Sequence, residues 1–225
     1  MPKPMHMLFA VFLAVALAAP AQAGTRIFMK HAEGRSEMLL TGDKVRVNPS
    51  TDGFYMLFDA SEGDRLFVNG PRKQIVEMPA AEPSDEFSAA DIELREKGSG
   101  PEVAGYSTTR YDVHFNGKRC GKVLASPKAL ADAGGDDAVR VFEMLSRQGK
   151  SGRQSQPKPC DRALEHLGER FRDIGLAMRT TKPDGGNSEI LKIKSGVDLD
   201  PALFKAPEGY ERRSLEEVLK GQQSQ

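Results

Sequence analysis

The sequence predicts an α+β protein built on an antiparallel sheet, and three observations carry that prediction. Between residues 36 and 78, short apolar runs alternate with turn residues at regular intervals. Asn116-Gly117 joins two alternating runs, a strong hairpin signal. Between residues 126 and 171, apolar residues recur at helical spacing.

The elements follow in chain order. Residues 36–40 alternate and end at Thr41-Gly42-Asp43, and residues 44–47 alternate again before a turn at 49–53. Residues 54–58 form an apolar run of strand length; after Glu62-Gly63-Asp64 come 65–68, then Asn69-Gly70-Pro71, then 74–78. Strands joined by such tight loops pair with their neighbours in a meander. Residues 79–100 are polar and bear Pro and Gly. They read as a mobile surface excursion, with a short helix from Ser88 through Arg95. Residues 109–115 place Tyr111, Val113 and Phe115 on one face and Arg110, Asp112 and His114 on the other, so one face is buried. Residues 119–125 return as the partner strand. Ser126-Pro127 opens a helical region, 137–145 continues it, and 160–171 is helical again. Residues 149–158 are basic and nearly free of apolar side chains, a second mobile loop. Residues 175–181 and 188–194 form a hairpin, and the tail ends in a short charged helix.

The amino terminus has a chemistry of its own. Lys3 precedes an uncharged apolar run, Leu8 to Ala19, which ends at Pro20 and Ala21-Gln22-Ala23. That is the layout of a cleavable secretory leader over residues 1–23, with cleavage after Ala23. The run is too short for the ~20 apolar residues of a membrane-spanning helix. Residues 24–225 then form a single mature domain, exported and periplasmic, of a size that needs no metal to fold. Without Lys3 the chain has 31 basic against 32 acidic residues, so no nucleic acid partner is implied. The two cysteines, Cys120 and Cys160, are an even count in an oxidising compartment and suggest a disulfide; two free thiols are the alternative.

Catalytic signatures are sparse. There is no Gly-x-Ser-x-Gly, His-Glu-x-x-His or Cys-x-x-Cys, and no cofactor or metal site is implied. His114 lies on the polar face of a predicted strand and His166 in a charged helix, both surface readings; His31 ends a first strand without a sequence-near partner. The expectation is a protein that is not an enzyme. The charges of Arg35, Glu37, Lys44 and Arg46 read as a solvated outer face. Met38, Leu40, Val45, Val47, Phe54, Met56 and Phe58, with Tyr111, Val113 and Phe115, are core residues of any such sheet. Where helices cover it incompletely, the same residues would line an apolar pocket.

Several segments carry a resemblance by their order, with Phe54–Phe58, Arg65–Asn69 and Lys73–Met78 standing between the first and second of those that follow. Met38-Leu-Leu-Thr-Gly-Asp-Lys-Val-Arg-Val47 resembles the opening of LolA-like exported domains. Val103-Ala-Gly-Tyr-Ser-Thr-Thr-Arg-Tyr-Asp-Val113 is similar to the hairpin of their DUF4412 branch, which more often has Cys or another small residue where this chain has Ser107 or Thr108. Asp200-Pro-Ala-Leu-Phe-Lys-Ala-Pro-Glu-Gly-Tyr210 resembles that branch's closing signature. The resemblance implies an unclosed, curved antiparallel half-barrel with helices covering its concave face. It also implies a lipid, a lipoprotein or an envelope protein as partner, stress sensing included, and maps no ligand residue.

Overall fold

The computed structural model describes residues 23–32, 34–79, 91–146 and 158–223. Apart from Ala23, the expected leader lies outside the described residues, as does the loop at 149–158 apart from Lys158. The meander forms as its turns dictate: β1 (Ala23–His31), β2 (Gly34–Thr41), β3 (Lys44–Pro49), β4 (Phe54–Asp59), β5 (Arg65–Asn69) and β6 (Gln74–Glu77) pair antiparallel in succession. The later strands are β7 (Ile92–Ser99), β8 (Thr109–Phe115), β9 (Lys118–Ser126), β10 (Leu176–Thr181), β11 (Asn187–Asp198) and β12 (Glu211–Ser214). All twelve join one open sheet in the order β12-β6-β5-β4-β3-β2-β1-β11-β10-β9-β8-β7. The two halves meet along β1 and β11, from Ala23 opposite Asp198 to Lys30 opposite Glu189.

Residues 92–99 correct the expected helix and loop. Ile92 and Leu94 alternate onto the apolar face, Ile92 opposite Phe115, and the exposed residues beyond them suit an edge strand. The β8 ladder supplies the hydrogen-bond partners that local pattern does not reveal. At the β8–β9 hairpin, Asn116 and Gly117 both hold positive φ, 50° and 73°, as a two-residue turn of this kind requires.

Ser126 accepts a hydrogen bond from the Ala129 amide (3.3 Å) and so caps α1 (Pro127–Asp132), with Pro127 at its first position. α2 (Asp136–Ser146) follows, then α3 (Pro159–Glu165), a tighter 3₁₀ turn over His166–Arg170, and α4 (Phe171–Ile174). The expected single helix over 160–171 is therefore broken. Gly168 in the tight turn lies so close to α2 that a Cβ there would stand 2.7 Å from the Phe142 carbonyl. Gly175 (φ +89°) reverses the chain into β10.

These helices cover one face of the sheet. Ile27, Met38, Leu40, Val45, Phe58, Val113, Val123 and Met178 pack there in one core with Ala129, Val141, Leu167 and Phe171. Along β4, β5 and β6 the alternate residues turn the other way: Leu57, Val68 and Ile75 form a second cluster with Tyr55, Leu66, Ala206 and Tyr210. The closing segment covers that cluster. Asp200 caps a 3₁₀ turn at Pro201–Phe204, and Arg46 donates from Nη1 to the Leu203 carbonyl (3.1 Å) and from Nε to Asn48 Oδ1 (2.8 Å). Arg46 is thus a half-buried anchor rather than a solvated charge, and Glu37 is paired with Arg26. A solvated outer face was expected because nothing near Arg46 in sequence announces a segment arriving from residue 203.

Beyond Tyr210 the chain makes β12, which pairs with β6 in parallel, unlike every other pair in the sheet. Ser214 and Glu217 then cap α5 (Leu215–Gln223) reciprocally: the Glu217 amide donates to Ser214 Oγ (3.2 Å), and the Ser214 amide donates to Glu217 Oε2 (2.8 Å).

Candidate functional site

A cavity of about 690 Å³ lies where the ends of β5 and β6 meet β12 and α5. Its apolar wall comes from Leu66, Met78, Pro79, Leu215 and Leu219; its polar residues are Asp64, Arg65, Glu77, Arg212, Ser214 and Glu216. A turn, a strand pairing and a helix cap place them. The β4–β5 turn is fixed by Asp59, whose carboxylate accepts from the Ser61 amide (3.0 Å), the Ser61 hydroxyl and the Glu62 amide (3.2 Å), with Lys44 Nζ 3.4 Å away. Burial alone would raise the Asp59 pKa, but the bonds from Ser61, Glu62 and Lys44 outweigh it and hold the carboxyl below its ordinary value. The parallel β6–β12 pairing sets Arg212 against Glu77 (2.8 Å). The Ser214–Glu217 cap aims α5 so that Leu215 and Leu219 close the cavity.

Arg65 is the exception in this wall. It is only 8 % exposed, its Nε is buried without a hydrogen-bond partner, and burial lowers its pKa below the ordinary arginine value. Among the described residues, Glu77 is held by Arg212 and Glu216 by Lys220. The site therefore presents an apolar wall and, among the described residues that line it, one buried cation without a counter-charge. Sequence reasoning passed over Arg65, although its alternation with Phe67 puts a guanidinium on the face that Phe58 occupies across the ladder.

The ten residues named from sequence lie elsewhere. Met38, Leu40, Val45, Phe58, Val113 and Phe115 are buried in the main core, with Val47, Met56 and Tyr111 packed against it; Phe54 is half-buried and stacks on Phe67. None of the ten lines the cavity of about 690 Å³; Phe58 borders a smaller one of about 180 Å³ and Phe115 one of about 450 Å³. Cys120 and Cys160 are joined in a disulfide, Cα atoms 4.8 Å apart, tying β9 to α3.

The three histidines among the described residues are not gathered into one site. His31 is exposed, with Nε2 2.9 Å from Ser36 Oγ at the end of the β1–β2 hairpin. His114 and His166 depart from the surface reading, at 9 % and 4 % exposure. His114 is flanked across the ladder by Glu93 and Arg119, and its Nδ1 is buried without a partner. His166 lies in the tight turn beside α2, with Nδ1 2.6 Å from Glu169 Oε1. Among the described residues no cluster of His, Cys, Asp and Glu suits a metal ion, and no helix is long and apolar enough to cross a membrane.

No protein-family model matches the chain, the DUF4412 family included, and no curated protein matches it. Solved structures show distant likeness. PNGF-II is 14 % identical over 89 % of this chain (TM-score 0.43), and the chain spans about a third of its length, 32 %. An uncharacterized conserved protein of Thermus thermophilus is 10 % identical over 86 % of this chain and 91 % of its own (TM-score 0.46). The MucA/MucB complex of Pseudomonas aeruginosa contains a chain 9 % identical over 82 % of this one and 56 % of its own (TM-score 0.39). At these identities and scores the likeness carries no statement of function.

Proposed function

We propose that this is an exported, periplasmic, non-catalytic protein that holds a hydrophobic ligand, a lipid or lipoprotein acyl chain, against a curved half-barrel sheet. The observation that carries this reading is the cavity of about 690 Å³ bounded by Leu66, Met78, Leu215 and Leu219. Its volume falls in the range of small-molecule sites, roughly 300–1,000 Å³. Export rests on the leader-like amino terminus, and the Cys120–Cys160 bond accords with an oxidising compartment. Cleavage after Ala23 would keep β1 pairing from Gly24 opposite Val197 onward.

The test is native mass spectrometry with lipid identification on protein purified from its own envelope, together with titration of an apolar fluorophore. Saturable binding that lipid displaces is expected, and Leu219→Asp should weaken it. No saturable binding by folded protein would overturn the reading.

A second reading is an envelope interaction or stress-sensing module. The packing of Met38, Leu40, Val45 and Phe58 into the core favours it, because the face expected to hold a ligand is filled there by helices. Capture of a partner protein by ligand-free protein would support it.

A further inference from the structure

We infer that the cavity beneath α5 takes a single-chain amphiphile with an anionic head, a carboxylate or a phosphate, and that Arg65 is the residue that recognises that head. The inference rests on the ligand-binding reading above and names the ligand class. An arginine stays charged at any physiological pH, so its burial is costly unless a counter-charge comes with it. Arg65 is more than nine-tenths buried, lacks a partner at Nε and borders the cavity. The burial-driven drop in its pKa points the same way, to a guanidinium short of counter-charge.

The other charges around the cavity do not fill this role. Glu77 is bonded to Arg212, Glu216 to Lys220, and Asp64 is exposed at the turn. Leu66, Met78, Pro79, Leu215 and Leu219 provide an apolar surface for a chain. A neutral lipid would satisfy that wall and leave Arg65 as it is. An anionic head supplies the acceptor, and a charged, desolvated hydrogen bond is among the stronger kinds.

The test is calorimetric titration of the purified protein with dodecanoate, dodecyl phosphate and dodecanol, and with acetate and inorganic phosphate as heads without a chain. The anionic amphiphiles should bind roughly ten- to a hundredfold more tightly than dodecanol, the range a charged hydrogen bond gives. Acetate and inorganic phosphate alone should not saturate the site. Arg65→Met should bring all three amphiphiles to parity, and Arg65→Lys should keep part of the preference. Ligand-free Arg65→Met should melt no lower than the parent, since it removes an unpaired buried charge; a folded variant with unchanged preference would overturn the role of Arg65. Equal binding of dodecanol and dodecanoate by the parent would overturn the anionic class and leave the ligand-binding reading standing. Failure of all three to bind would overturn both. A preference for the carboxylate over the phosphate, or the reverse, supports the inference and identifies the head.

Discussion

The guanidinium of Arg46 lies over the ring of Tyr55, 3.6 Å from its centroid, while the same group holds the carbonyl of Leu203. One side chain thereby joins β3, β4 and the closing segment. Cation–π contacts contribute about 0.5–2 kcal/mol and a net hydrogen bond about 1 kcal/mol. Arg46→Ala should therefore lower the free energy of unfolding by about 1–3 kcal/mol in urea titrations. Arg46→Lys should recover only part of this, because an ammonium lacks the planar fork.

Reduction of the Cys120–Cys160 bond, or its replacement by two serines, should destabilise the fold. The bond closes a loop of sequence separation 40, worth about 4 kcal/mol in the chain-entropy account, less any native strain. Guanidinium melts with and without reductant measure this, and thiol counting under denaturing, non-reducing conditions should find no free thiol.

Acid should weaken the turn that rims the cavity. Asp59 titrates below its ordinary value of 3.8 in the folded protein, so its contribution is present above the unfolded value and disappears as pH falls through the lower, folded one. Asp59→Asn should cost about 0.5–2 kcal/mol at neutral pH, as for other lost turn and cap acceptors. It should also flatten the loss of stability below about pH 4, which denaturation at stepped pH would show.

Gly175→Ala combines two penalties. Its φ of +89° is unfavourable to a side chain, and a Cβ there would overlap the Ser126–Pro127 backbone. A loss of at least about 2 kcal/mol is expected, read from thermal melts, or insoluble protein on expression.

The sequence discloses structure where causes are local. Thr41-Gly42-Asp43, Glu62-Gly63-Asp64 and Asn116-Gly117 fix their turns by backbone preference, so the meander and the β8–β9 hairpin are legible. β7 is not, because Arg95 to Ser99 carry no apolar alternation and only the β8 ladder makes them a strand. β12 is harder still: Glu211, Arg212 and Arg213 become sheet by pairing with residues about 137 positions earlier. The candidate site shares that difficulty. Leu215 and Leu219 read as one face of a tail helix, and only the parallel β6–β12 ladder brings them to Arg65. Burial of His114 and His166 was likewise hidden, since it depends on cross-strand neighbours and on α2.

The seam between β1 and β11 bears on how the chain reaches this state. Its ladder pairs residues far apart in sequence, up to Ala23 with Asp198, whereas the hairpins on either side close locally. Local hairpins form in microseconds, but long-range pairing waits on the entropy of closing nearly the whole chain. Until residues 187–198 take their place in the sheet, β1 and β10 each present an open edge. Unpaired edges invite pairing with other chains. The interval just before β11 completes the sheet is therefore when a nascent molecule is most exposed to aggregation, and a chain cut short at Gly186 would stay in that condition.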